Sequence, residues 1–94
     1  MTNNTLYLVQ SSFNASPTIF KKLENLHSEN DAVVLMGEAV LHANSPFIQN
    51  LNHIYVLENE VENLTQSISE KIQVISYAQF ADLALNFKRS ISLK

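Results

Sequence analysis

Five consecutive apolar residues, Ala32-Val33-Val34-Leu35-Met36, constrain this chain more than any other stretch. A strand with one wet face alternates apolar and polar side chains, whereas a strand covered on both faces reads as an unbroken apolar run, as in a parallel sheet packed between helices. Parallel strands need crossover connections, usually helical, so the flanking sequence must supply alternating strands and helices. It does. Leu6-Tyr7-Leu8-Val9 reads as a strand that stops at Gln10-Ser11-Ser12. Ser16-Pro17 signals a helix start, with serine as the cap and proline where its missing donor costs nothing, and Ile19, Phe20, Leu23 and Leu26 recur on one face to about His27. Glu38 to Ala43 reads as a short helix, and Ser45-Pro46 repeats the cap-plus-proline signal before Phe47, Ile48 and Leu51. His53-Ile54-Tyr55-Val56-Leu57 is a third strand, with Asn59 and Glu62 spaced as a capping box after it. Ile72-Gln73-Val74-Ile75 is a fourth, followed by a second box, Ser76 and Gln79, and the amphipathic set Phe80, Leu83, Ala84 and Phe87. Ser90-Ile91-Ser92-Leu93 alternates and offers an optional edge strand. The predicted fold class is α/β: residues 1–94 form a single three-layer α/β/α domain with a four- or five-stranded, mainly parallel sheet.

The chain is 46% hydrophobic and only 16% charged, where soluble domains usually carry about 25% charge. A domain this small buries only about 60–65% of its unfolded surface, so oligomerisation is expected. A net charge of −3 gives no electrostatic footprint for a phosphate backbone, and no direct nucleic-acid contact is expected. Cysteine is absent, which excludes a disulfide scaffold, a thiolate metal site, a cysteine nucleophile and a persulfide carrier. Met1-Thr2-Asn3-Asn4-Thr5 has no signal-peptide character and no apolar run approaches the roughly 18 residues of a membrane span. The expectation is a mature cytoplasmic protein without a membrane partner, in which the sequons at Asn3, Asn14 and Asn63 carry no meaning.

Gly37, the only glycine, directly follows the apolar strand. Open α/β sheets place ligands at the carboxyl ends of their strands, so Ser12, Gly37, Glu38 and His42 form a candidate cleft; the plainer reading gives Gly37 the positive φ of a strand-to-helix turn and Ser12 a turn role. A single glycine rules out both common nucleotide-binding fingerprints. His27, His42 and His53 lack the i, i+4 relation that would bring two to one metal. Glu58, Glu60 and Glu62 sit where a helix macrodipole favours acids, which gives them a structural job. No catalytic residue, metal or cofactor is expected, and an accessory subunit is preferred to a catalyst.

Four segments resemble the TusB/DsrH family of sulfur-relay proteins: Thr5 to Val9 with Ser12 and Phe13; DAVVLMGEAV from Asp31 to Val40; IYVLENE from Ile54 to Glu60; and residues 68–83, ending in ISYAQFADL with Leu83. They follow in family order over most of the chain. The family's acid-Gly-Val turn after the second strand reads here as Gly37-Glu38-Ala39-Val40, and the stretch after the third strand is shortened to Glu62-Asn63-Leu64-Thr65. The resemblance implies a cytoplasmic hetero-oligomer in which this chain assembles with TusC-like and TusD-like subunits, as two trimers. It also implies a TusA-like persulfide donor and a TusE-like acceptor upstream and downstream, with the sulfur ending as the 2-thio group of the transfer RNA wobble uridine. DsrH of the sulfur-oxidising branch bears a cysteine, so a cysteine-free chain is closer to TusB.

The leading expectation is therefore a non-catalytic subunit of a sulfur-transfer complex, with Val40, Leu41, Phe47 and Ile48 as the candidate subunit interface near the Gly37 loop. The alternative is a stand-alone small enzyme or ligand-binding domain that uses the cleft at the strand carboxyl ends. A phosphoacceptor receiver is discarded because these strands end in Met36-Gly37, Leu57-Glu58 and Ile75-Ser76 rather than in an aspartate.

Overall fold

The computed structural model describes residues 4–28, 30–43, 46–48, 51–62 and 71–94, and for Phe47 the backbone alone. Five strands, β1 (Thr5–Val9), β2 (Ala32–Leu35), β3 (Ile54–Leu57), β4 (Ile72–Ile75) and β5 (Arg89–Leu93), form one sheet in the order β4-β3-β2-β1-β5. Every pairing is parallel. The unbroken apolar run lands in the middle of the sheet, and all four residues of β2 are buried, as a strand covered on both faces requires. The alternating tail becomes β5, which pairs with β1 from Thr5 opposite Arg89 to Val9 opposite Leu93.

Side chains on the three central strands, β1, β2 and β3, alternate between two covered faces, whereas edge strand β5 is largely exposed. On one, Tyr7, Val9, Val33, Leu35, Ile54, Val56 and Ile72 pack under helix α1 (Ser16–Leu26), through Phe20 and Leu23, and under two short 3₁₀ segments, Gly37–His42 and Pro46–Ile48. On the other, Leu6, Ala32 and Val34 pack under Phe80 and Leu83 of helix α3 (Tyr77–Leu85) and under Phe87 beyond it. A four-residue helix, α2 (Glu58–Val61), follows β3 directly. The architecture is α/β, with a five-stranded parallel sheet between helical layers. No helix among the described residues is long and apolar enough to cross a membrane.

Several local expectations are corrected. The helix after β1 is capped at Ala15, with Ser16 already inside the first turn. The Ser16 hydroxyl is buried, donates to the Ser12 carbonyl oxygen at 2.7 Å and lies 2.7 Å from the Ser11 hydroxyl, so it ties the turn together instead of capping the helix. Leu26 continues the apolar spacing but is 61% exposed in the last position of the helix, whose buried apolar contacts are Phe20 and Leu23. The Asn59–Glu62 box does not form: the helix starts at Glu58, immediately after the strand, and the Asn59 amide donates to the Tyr77 hydroxyl at 3.1 Å. The segment after Gly37 is 3₁₀ rather than α. Ser45, the second expected cap, lies outside the described residues. By contrast, the Ser76–Gln79 box forms completely: the Ser76 hydroxyl accepts from the Gln79 N–H at 3.1 Å and the Gln79 side chain accepts from the Ser76 N–H at 2.9 Å. Gly37 has φ +58°, and a Cβ there meets nothing within 4 Å, so its need for glycine is conformational and not steric.

Candidate functional site

The carboxyl ends of β1 and β2 are joined by hydrogen bonds before their connections diverge. The Met36 N–H donates to the Val9 carbonyl at 2.9 Å, and the Gln10 N–H to the Leu93 carbonyl at 2.8 Å. Ser12 then folds the chain into a tight turn: its hydroxyl and its carbonyl both accept from the Ala15 N–H at 3.2 Å, and its carbonyl also accepts from the Ser16 N–H at 3.0 Å. This is the turn role that a serine hydroxyl performs well. Its consequence is the placement of Phe13 over the Gly37–His42 segment.

Phe13 is gripped on three sides. A carboxylate oxygen of Glu38 accepts from its backbone N–H at 2.8 Å. The Nε2 of His42 lies 2.9 Å from its carbonyl oxygen; a carbonyl has no proton to give, so Nε2 is the donor. The ring stacks on the His42 imidazole with centroids 4.3 Å apart and planes 12° from parallel, while Phe20 meets the imidazole edge-on at 5.6 Å and 82°. His42 is thereby buried between two aromatic rings, only 5% exposed. Nearby, the Gly37 N–H donates to a Glu60 carboxylate oxygen at 3.3 Å, which fastens α2 to the same corner.

The four cleft residues named from sequence therefore meet at one corner, but as mutual fasteners. Ser12 holds its own turn, Gly37 supplies the left-handed backbone, and Glu38 and His42 hold the backbone N–H and C=O of Phe13. Of the candidate interface, Val40 and Ile48 are corrected to core: they are 2% and 1% exposed and pack with Leu23, Val33 and Leu35 under α1. Leu41 is 57% exposed, and the Phe47 side chain lies outside the described residues. Glu58 and Glu62 are exposed at the ends of α2. Phe13, 44% exposed despite its anchors, is the residue that sequence reasoning passed over; an aromatic side chain in a serine-rich turn between strand and helix is the signal that marks it.

Other concavities and clusters lie away from this corner. A shallow hollow of about 310 Å³ follows Pro17, Thr18, Lys21 and Glu24 along α1, and one of about 240 Å³ lies between α3 and the β3–β4 edge beside Tyr55 and Asp82. At the amino ends of the strands, buried Asp31 accepts from the Thr5 N–H at 2.8 Å and the Ser28 N–H at 2.7 Å, and the Arg89 Nε donates to the Thr5 hydroxyl at 2.7 Å. Beside them, burial pushes the Tyr7 phenol above its ordinary value of 10.0; the Asp31 charge adds to the rise, and Arg89 and a Thr5 hydrogen bond oppose it. Among the described residues no group of three or more His, Asp or Glu is placed to hold a metal.

Residues 11–90 match a family model described as DsrH like protein. A comparison with curated proteins gives no match.

Proposed function

This chain belongs to the DsrH-like family, whose members are tied to sulfur relay, and from that premise we propose that it serves as a non-catalytic subunit of a cytoplasmic sulfur-transfer complex. In this reading it assembles with TusC-like and TusD-like subunits and supports the passage of persulfide sulfur from a TusA-like donor to a TusE-like acceptor, toward 2-thiolation of the transfer RNA wobble uridine. Persulfide transfer needs a thiolate on the carrying chain, and this chain has no cysteine. The thiol belongs to a neighbour.

The observation that carries the reading is the use made of the strand-end corner. Where a small enzyme would aim polar groups at a ligand, Glu38 and His42 are spent on the backbone of Phe13. Two large apolar side chains face outward there, Phe13 at 44% and Leu41 at 57% exposure, beside the exposed Ser12 and Glu38. Such a corner suits a protein surface better than a substrate. The alternative reading, a ligand cleft built on Ser12, Glu38 and His42, would need those side chains to leave their present partners.

The test is capture of partners by variants. Leu41→Asp places a charge in the apolar corner of a folded chain and should abolish capture of the partner subunits while circular dichroism and thermal unfolding stay unchanged. Full retention of the partners by Leu41→Asp would contradict the assigned interface.

A further inference from the structure

Helix α3 is apolar on two sides, and the fold covers only one of them. It rests on the sheet through Phe80 and Leu83, yet none of its nine residues is buried. Asp82 is the only charged residue among them. Tyr77, Ala78, Ala81, Ala84 and Leu85 are all exposed, Tyr77 by 60% and Leu85 by 84%. At about 100° per residue these five positions occupy an arc of about 120° centred on Ala81, clear of the side that Phe80 and Leu83 present to the sheet. A surface helix normally carries charged and polar residues there, and a helix that is apolar all round is a covered helix.

The order of sizes along that face points to its occupant. Tyr77 and Leu85 stand four residues to either side of Ala81, and Ala78 and Ala84 three to either side, so the face reads large, small, small, small, large in both directions. A second α3 laid antiparallel across it, with a two-fold axis at Ala81, sets each Tyr77 against the partner's Leu85. The alanines at the centre let the backbones approach to about 8 Å, the short end of helix-packing distances. An isologous contact needs one patch that complements itself, and this one does. Charge agrees: although the chain carries −3 overall, the face itself is uncharged, with Asp82 at its border. The Asn59 amide fixes the Tyr77 hydroxyl at 3.1 Å, so the largest contact residue is held in place before any partner arrives. Five exposed residues on each copy, two of them large, make a small patch at the low end of the size range of specific interfaces, where weak and transient contacts lie.

We propose that the outward face of α3 is a two-fold, antiparallel self-association site for a second copy of this chain. It lies on the opposite side of the sheet from Leu41 and does not rest on the hetero-oligomer reading. A patch this small fits an exchanging dimer and not an obligate one.

Because the natural chain has no cysteine, single-cysteine variants report the contact without background. Ala81→Cys, at tens of micromolar under mild oxidation, should become mostly disulfide-linked dimer, whereas Leu26→Cys, also exposed but on α1 across the sheet, should remain mostly monomer. Sedimentation equilibrium of the unmodified chain should show a monomer–dimer equilibrium that Ala81→Glu weakens by at least about tenfold, since two like charges would meet on the axis. A chain that stays monomeric at hundreds of micromolar, or cross-linking as efficient at position 26 as at position 81, overturns the proposal. So does a monomeric chain whose Ala81→Glu variant loses a different protein partner, which would assign the face to that partner. Leu41→Asp leaves all these readings unchanged, so failure here and failure of the proposed function are told apart.

Discussion

His42 illustrates what a buried polar side chain must do in a core this small. It is covered by Phe13 and Phe20 and donates a hydrogen bond from its Nε2–H to the Phe13 carbonyl. His42→Ala removes a hydrogen bond of about 0.5–1.5 kcal/mol and an aromatic contact of similar worth, and leaves a cavity. Urea titration should therefore show a loss of about 2–4 kcal/mol at unchanged slope. Tyr7 makes a pH-dependent contribution. Its phenol is raised above 10.0 in the folded protein, so the unfolded chain ionises first; the stabilisation is whole below about pH 10 and is lost as the pH rises through the higher folded value. The unfolding midpoint should fall as the pH rises above about 10, and Tyr7→Phe should flatten that fall. Neither role was legible in the sequence. His42 depends on an aromatic ring 29 positions away, and Tyr7 on the packing together of Asp31, Arg89 and Thr5, which are contacts that only the finished sheet creates.

Elements whose cause is local were legible; those whose phase depends on tertiary packing were not. The Ala32 to Met36 run and the Ser76–Gln79 box both read directly from sequence, the first through burial on two faces and the second through two reciprocal hydrogen bonds. Ser76→Ala should cost about 1 kcal/mol and loosen α3 first, seen as faster amide exchange in residues 77–80 than elsewhere in the sheet-bound layer. The interface candidates went astray through helix type. In the 3₁₀ segment and its C-cap Ala43, Ala39 and His42 are buried, Val40 and Ala43 are buried, and Glu38 and Leu41 are exposed, a repeat of three in which residues i and i+3 eclipse. An α-helical reading of the same residues has no such repeat, so it could not separate Val40 from Leu41. The contrast is testable: Val40→Asp buries an unpaired charge in the core and should prevent cooperative folding, whereas Leu41→Asp should unfold within about 0.5 kcal/mol of the natural chain.

At the scale of the whole molecule the sheet order explains how one small domain presents two unrelated surfaces. The chain lays β1 to β4 outward in one direction and then returns through α3 to place β5 on the far side of β1. The first crossovers build the α1 face and leave the Phe13–Leu41 corner at the strand ends; among the described residues the last one covers the opposite face and leaves the outside of α3 bare. The alternating tail announced a strand, but its position beside β1 follows from where α3 can deliver it, which no local pattern encodes. A family match over residues 11–90 and a chain without cysteine lead to the central claim, a subunit that supports sulfur transfer without carrying sulfur. Native mass spectrometry of the tagged chain, gently purified from its own cells, tests that claim most directly. The expected result is an assembly with two other small α/β proteins, at least one bearing a cysteine; recovery of this chain alone, as a monomer or only with copies of itself, would contradict the sulfur-transfer role.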